Sequence, residues 1–81
     1  MSPESIRAAA REIVTQIAAG KVADDDLLIS SGRIDSLSIL KLISGLEQKL
    51  SIHMPIDALQ PEDFDSIDLI VETVERVGKP R

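Results

Sequence analysis

Aliphatic residues recurring at three- and four-residue steps constrain this chain more than any other feature. They form three sets: Ile6, Ala9, Ala10, Ile13, Val14, Ile17 and Ala18; then Ile39, Leu42, Ile43, Leu46 and Leu50; then Ile67, Ile70, Val71, Val74 and Val77. Such spacing places each set on one side of an α-helix and predicts amphipathic helices that bury those sides against one another. Phe64 is the only aromatic residue and cysteine is absent, so the core is aliphatic and neither disulfides nor thiolate metal sites are available. At 81 residues the chain lies near the lower size at which such a core folds unaided. The expected fold is all-α: a small four-helix bundle of three main helices and one short helix, with a long loop between helices one and two. One domain spans residues 1–81.

Local signals bound the helices. Ser2-Pro3-Glu4 supplies a capping serine, a proline at the first helical position and an acid in the first turn, and Gly20 supplies a left-handed stop. Lys21 to Ile34 has no sustained period. Within it, Asp24-Asp25-Asp26 lacks the alternating ligands and closing glutamate of a calcium loop, while Leu27, Leu28 and Ile29 are apolar enough to pin the loop across the bundle. The second helix is expected from Ser36 to about Leu50, with Leu37 and Leu40 toward the edge of its core sector, either buried or free to dock. Gly45 costs that helix about 1 kcal/mol relative to alanine, which close helix packing would explain. In the connector from Ser51 to Gln60, Ile52, Met54, Ile56 and Leu59 are expected to close the end of the core. Pro61–Phe64 predicts the short helix and Asp65-Ser66 the start of the last one, which Gly78 and Pro80 end, leaving Lys79 and Arg81 as a frayed tail.

Several function classes are disfavoured. A net charge of −5 argues against nucleic-acid binding, which needs clustered Lys and Arg, and suits either basic protein partners or mere solubility. No segment reaches the ~20 apolar residues of a membrane span and the N-terminus has no signal-peptide pattern, so a soluble cytoplasmic protein is the default. The lone His53 has no partner at motif spacing and reads as a structural or surface residue. No catalytic residue and no metal ligand is assigned.

One short stretch carries a positive signal: Gly32-Arg33-Ile34-Asp35-Ser36-Leu37, running into the second helix. Asp35 reads as its N-cap and Ser36 as its first helical residue, near the positive end of the helix dipole, where a phosphate on the hydroxyl would be favoured. Asp65-Ser66-Ile67 repeats the pattern before the last helix, so capping logic alone treats the two serines alike.

Gly32-x-x-Asp35-Ser36-Leu37, set between a long loop and a helix in a small acidic helical chain, resembles the free-standing acyl carrier protein family from about Ile6 to Val77. The resemblance implies that Ser36 carries 4′-phosphopantetheine, with Asp35 and Leu37 as its motif. It further implies a phosphopantetheinyl transferase to attach the arm, an acyl- or aminoacyl-loading ligase, and a downstream transferase or synthase. The expected partner surface is Leu37, Leu40, Lys41, Ser44 and Glu47; the expected acyl groove is Leu40, Ile43, Leu59 and Ile67; the expected state is a monomer. Carriers for fatty-acid synthesis usually have a strongly acidic second helix, whereas Lys41 and Lys49 against Glu47 leave this one at +1. That departure points to a specialised pathway: polyketide, nonribosomal peptide, aminoacyl or modified lipid. The alternative is an unmodified helical interaction domain whose partners read the apolar rim directly.

Overall fold

In the computed structural model, which describes residues 2–81, three α-helices carry the three aliphatic sets: α1 (Pro3–Ala18), α2 (Ser38–Leu50) and α3 (Ile67–Val77). Ser2 caps α1 by accepting from the Ser5 N–H at 3.2 Å, with Pro3 at the first helical position. The inward faces of the helices meet in one aliphatic core, and Phe64, Leu28, Leu42, Leu46 and Ile70 are among its fully buried side chains. Gly45 of α2 packs directly against Ile13 of α1. A Cβ there would stand 2.9 Å from Ile13 Cδ1, so close packing accounts for a glycine inside a helix.

The helix ends depart from expectation in two places. α1 stops at Ala19 (φ 56°), not at Gly20. The Ala19 and Gly20 N–H groups both return to the Thr15 carbonyl, and the chain turns early enough to bury Val22. The Arg11 guanidinium holds that turn by donating to the Val22 carbonyl at 2.5 Å. Regular α2 begins at Ser38, two residues later than expected, because Ser36 and Leu37 form an entry turn closed by i→i+3 bonds.

The long loop is folded, not slack. Leu28 is fully buried and Ile34 nearly so, but Leu27 is 54% exposed, so only part of the Leu27–Ile29 run is pinned. Asp24 pairs with Arg7 at 2.8 Å and also with Arg11, and Arg7 reaches Asp68 at 2.6 Å, tying the loop to α1 and α3. Gly32 takes φ +82° in an open turn with nothing near its missing side chain; its role is conformational.

After α2, two residues (β1, Ile52–His53) pair antiparallel with two at the C-terminal end (β2, Lys79–Pro80), and the Arg81 N–H donates to the Ser51 carbonyl at 3.2 Å. The expected frayed tail is therefore docked, because it supplies partners that the β1 backbone would otherwise lack. Between α2 and α3 lie two 3₁₀ turns, Ile56–Ala58, which the sequence pattern did not signal, and the expected Pro61–Phe64. Ile52 and Met54 close the core as expected; Ile56 does not, being 64% exposed on the first of these turns.

Candidate functional site

The entry turn of α2 separates the two residues of the Asp35-Ser36 pair by role. Asp35 Oδ1 accepts from the Ser38 N–H at 2.9 Å and from the Ser38 hydroxyl at 3.0 Å. These bonds, the Ser38 N–H first, hold the Asp35 carboxyl below the usual carboxylate range, with desolvation opposing them. Asp35 is the cap even though the regular helix starts later. Ser36 is left exposed at the positive end of α2, and among the described residues no hydrogen bond engages its hydroxyl.

The second Asp-Ser pair works the other way round. Ser66 is only 5% exposed, and its hydroxyl caps α3 by accepting from the Leu69 N–H at 3.1 Å. Asp65 faces the long loop. Its Oδ1 accepts from the N–H groups of Leu28 (3.1 Å), Ile29 (2.8 Å) and Ser30 (2.9 Å), and its Oδ2 from the Ser30 hydroxyl at 2.5 Å. The Ser30 hydroxyl and N–H are the largest influences lowering the Asp65 pKa. Capping logic alone treats the two serines alike, but their surroundings differ: Ser66 is buried and bonded, Ser36 exposed.

Beside Ser36 lies an apolar cleft of about 190 Å³ between α2 and the two 3₁₀ turns. Ile39, Leu40 and Ile43 form one wall, and Ile56, Leu59, Gln60, Pro61 and Phe64 the other. Of the four expected groove residues, Leu40, Ile43 and Leu59 meet here. Ile67 does not: it is fully buried in the core, since the start of α3 faces inward. Ile39, Ile56, Pro61 and Phe64 went unforeseen. The connector was expected only to close the end of the core, and no pattern showed that it would fold back toward Ser36.

On the outer face of α2, Leu37 is 78% and Leu40 60% exposed, and Lys41 and Ser44 are exposed beside them. Glu47, the fifth expected partner residue, is engaged instead: Oε2 accepts from the Met54 N–H at 2.9 Å and lies 3.5 Å from His53 Nδ1. It closes the turn after α2. Lys49 pairs with Glu12 of α1 at 3.0 Å. Among the described residues, no group of three or more His, Cys, Asp or Glu is placed to hold a metal, and no helix is long and apolar enough to cross a membrane.

Residues 4–74 match the family profile described as the phosphopantetheine attachment site. The chain belongs to that carrier family. A D-alanyl carrier protein of Streptococcus sanguinis is 31% identical over 71 residues, covering 85% of this chain and 90% of that protein. Those of Leuconostoc citreum (29% over 66 residues; 79% and 85%) and Streptococcus uberis (36% over 56 residues; 69% and 70%) are similar. The family's cofactor is 4′-phosphopantetheine. The chemistry around Ser36 fits such a group: an unengaged primary hydroxyl at a helix start for the phosphate, and an apolar cleft alongside.

Proposed function

We propose that Ser36 is the attachment serine of this carrier, and that the chain ferries a small aminoacyl group between a loading ligase and a downstream transferase. The observation that carries this reading is the contrast between the two Asp-Ser pairs: the Ser66 hydroxyl is buried and spent on a cap, whereas the Ser36 hydroxyl is exposed and uncommitted beside an apolar cleft. Asp35 orients the turn, and Leu37 and Leu40 offer an apolar surface on which a phosphopantetheinyl transferase can settle. When bound, the arm supplies a terminal thiol able to hold cargo as a thioester, a function this cysteine-free chain lacks.

Three features support aminoacyl cargo over the long chains of fatty-acid synthesis. The similar proteins are named D-alanyl carriers. At about 190 Å³ the cleft is below the roughly 300–1,000 Å³ common for drug-sized ligands. With Glu47 and Lys49 already engaged, Lys41 is the charge α2 presents beside Leu37 and Leu40, so the favoured partners carry apolar and acidic groups. In this reading the chain is a substrate, not a catalyst, and works in the cytoplasm, where coenzyme A and ATP are at hand.

Intact-mass measurement after incubation with coenzyme A, Mg²⁺ and a broad-specificity phosphopantetheinyl transferase tests the attachment. One phosphopantetheinyl increment is expected, mapped to Ser36 and absent in Ser36→Ala. An unchanged mass with several transferases overturns the carrier reading and leaves an unmodified interaction domain. Loading of the holo-protein by an ATP-dependent amino-acid ligase, with release by hydroxylamine, tests the cargo class; charging by long-chain acyl ligases alone overturns it.

A further inference from the structure

Resting on the Ser36 reading, we infer that Asp65 is a positioning residue for modification: it sets where Ser36 stands, although the two lie 29 positions apart in the chain. Four bonds converge on its one carboxylate, three from consecutive N–H groups and one from a hydroxyl, and the Leu28 N–H also donates to the Asp65 carbonyl at 2.7 Å. An aspartate on a surface ion pair has no such set of partners; this one is shaped as a receptor for the loop backbone.

The connection onward to Ser36 is continuous. The Ile34 N–H donates to the Leu28 carbonyl at 3.0 Å and the Gly32 N–H to the Ile29 carbonyl at 3.1 Å, so the Leu28–Ile34 segment closes on itself. The buried Leu28 and Ile34 side chains root both ends of that segment in the core. Asp35 and Ser36 follow directly. On the other side of Asp65, Phe64 lines the cleft and Ser66 caps α3. Asp65 thus joins the wall of the cleft to the loop that delivers Ser36, and fixes the register of one against the other.

Removing that carboxylate keeps the Leu28 N–H bond to the Asp65 carbonyl and the two buried anchors, but unpairs the Ile29 and Ser30 N–H groups and the Ser30 hydroxyl, loosening the segment that leads to Ser36 while leaving the exposed face of α2 in place. A docked carrier would then present its hydroxyl out of line, and misplacement of about 1 Å at a reacting atom is enough to cost on the order of 100-fold in rate. The expected signature falls on kcat, not on KM. For Asp65→Ala, phosphopantetheinylation of Ser36 by a fixed transferase, followed by intact mass against carrier concentration, should show kcat lowered about tenfold or more with KM within about threefold. Val74→Ala, a core truncation in α3 remote from the loop, serves as the control for lost stability and should keep wild-type kcat below its melting transition. Ser30→Ala deletes only the bond to Oδ2 and should lower kcat about twofold to threefold. It carries the test if Asp65→Ala does not fold. Wild-type kcat in the folded variant overturns the proposal while leaving Ser36 as the site. If wild-type protein takes no arm on Ser36, the attachment reading itself fails. An equal loss in Val74→Ala reduces Asp65 to a stability residue and also overturns the proposal.

Discussion

Leu27 and Leu28 are adjacent, chemically identical and placed oppositely, which makes them a sharp test of whether the long loop is part of the core. Leu28 is fully buried; Leu27 is 54% exposed. Truncating a buried leucine to alanine costs about 2–5 kcal/mol, the figure depending on how far the surroundings collapse into the space left behind. Here collapse is restricted, because the Leu28 N–H is held by Asp65 and its carbonyl by Ile34. We therefore expect a value no lower than the middle part of that range, about 3–4 kcal/mol, for Leu28→Ala. Leu27→Ala should stay within about 0.5 kcal/mol of wild type, as exposed substitutions do.

Against a total stability of about 4–12 kcal/mol for a chain this size, the Leu28 loss is a large fraction. With a urea m-value of about 1 kcal/mol/M, the unfolding midpoint of Leu28→Ala should fall by roughly 3 M. If the wild type is at the low end, the variant will be partly unfolded in water. Circular dichroism followed through urea titration reads both variants on one axis. A Leu28→Ala loss under about 1 kcal/mol, or equal losses for both leucines, would refute the packed loop and with it the idea that Asp65 holds an ordered segment.

Other consequences follow from the same geometry. Ser66→Ala should cost about 1 kcal/mol by uncapping α3, whereas Ser36→Ala should leave the urea midpoint nearly unchanged while abolishing the phosphopantetheinyl mass increment. Asp35 and Asp65 both have folded-state pKa values below their ordinary 3.8, so the unfolded chain takes up protons first as the solution is acidified. The stability they contribute is present above that value and is lost as pH falls through the folded-state values; Asp65→Asn should therefore show a shallower loss of stability as pH falls below the ordinary carboxylate value of 3.8, in acid titrations followed by circular dichroism. Gly45→Val places a side chain against Ile13 in the α1–α2 contact and should destabilise by about 1–3 kcal/mol in urea melts, despite the gain from leaving glycine.

The helices were legible because their information is local. Ile6 to Ala18 and Ile67 to Val77 repeat at helical steps, and Ser2-Pro3 and Gly78 mark ends that need nothing from elsewhere in the fold. The candidate attachment stretch was legible only as a resemblance, since Asp35-Ser36 and Asp65-Ser66 read identically as caps. What escaped was non-local. The pairing of Lys79–Pro80 with β1, the exposure of Leu27 and Ile56, and the burial of Ile67 away from the cleft all depend on where distant segments lie. Glu47 shows the same limit: its position on α2 suggested docking, but the connector after α2 claims its carboxylate.

The two Asp-Ser pairs show why a motif of this kind needs its surroundings before it acquires a function. A helix start requires one side-chain oxygen to meet its unpaired N–H groups, and either member of the pair can supply it. Where the serine is the cap, as in Ser66, the hydroxyl is buried and the aspartate is released to bind something else; Asp65 binds the loop. Where the aspartate is the cap, as in Asp35, the serine is released, and the exposed entry turn holds it in solvent beside the cleft. The entry turn decides the outcome. Beginning regular α2 at Ser38 places the Asp35 carboxylate on the Ser38 N–H and hydroxyl, which removes any capping demand on Ser36. A shift of one residue in that start would ask Ser36 Oγ to cap instead, and a capping hydroxyl is both less exposed and hydrogen-bonded. Stability of the helix start and availability of the Ser36 hydroxyl are thus met by different residues, which allows the oxygen to be modified without loss of the bond that begins α2.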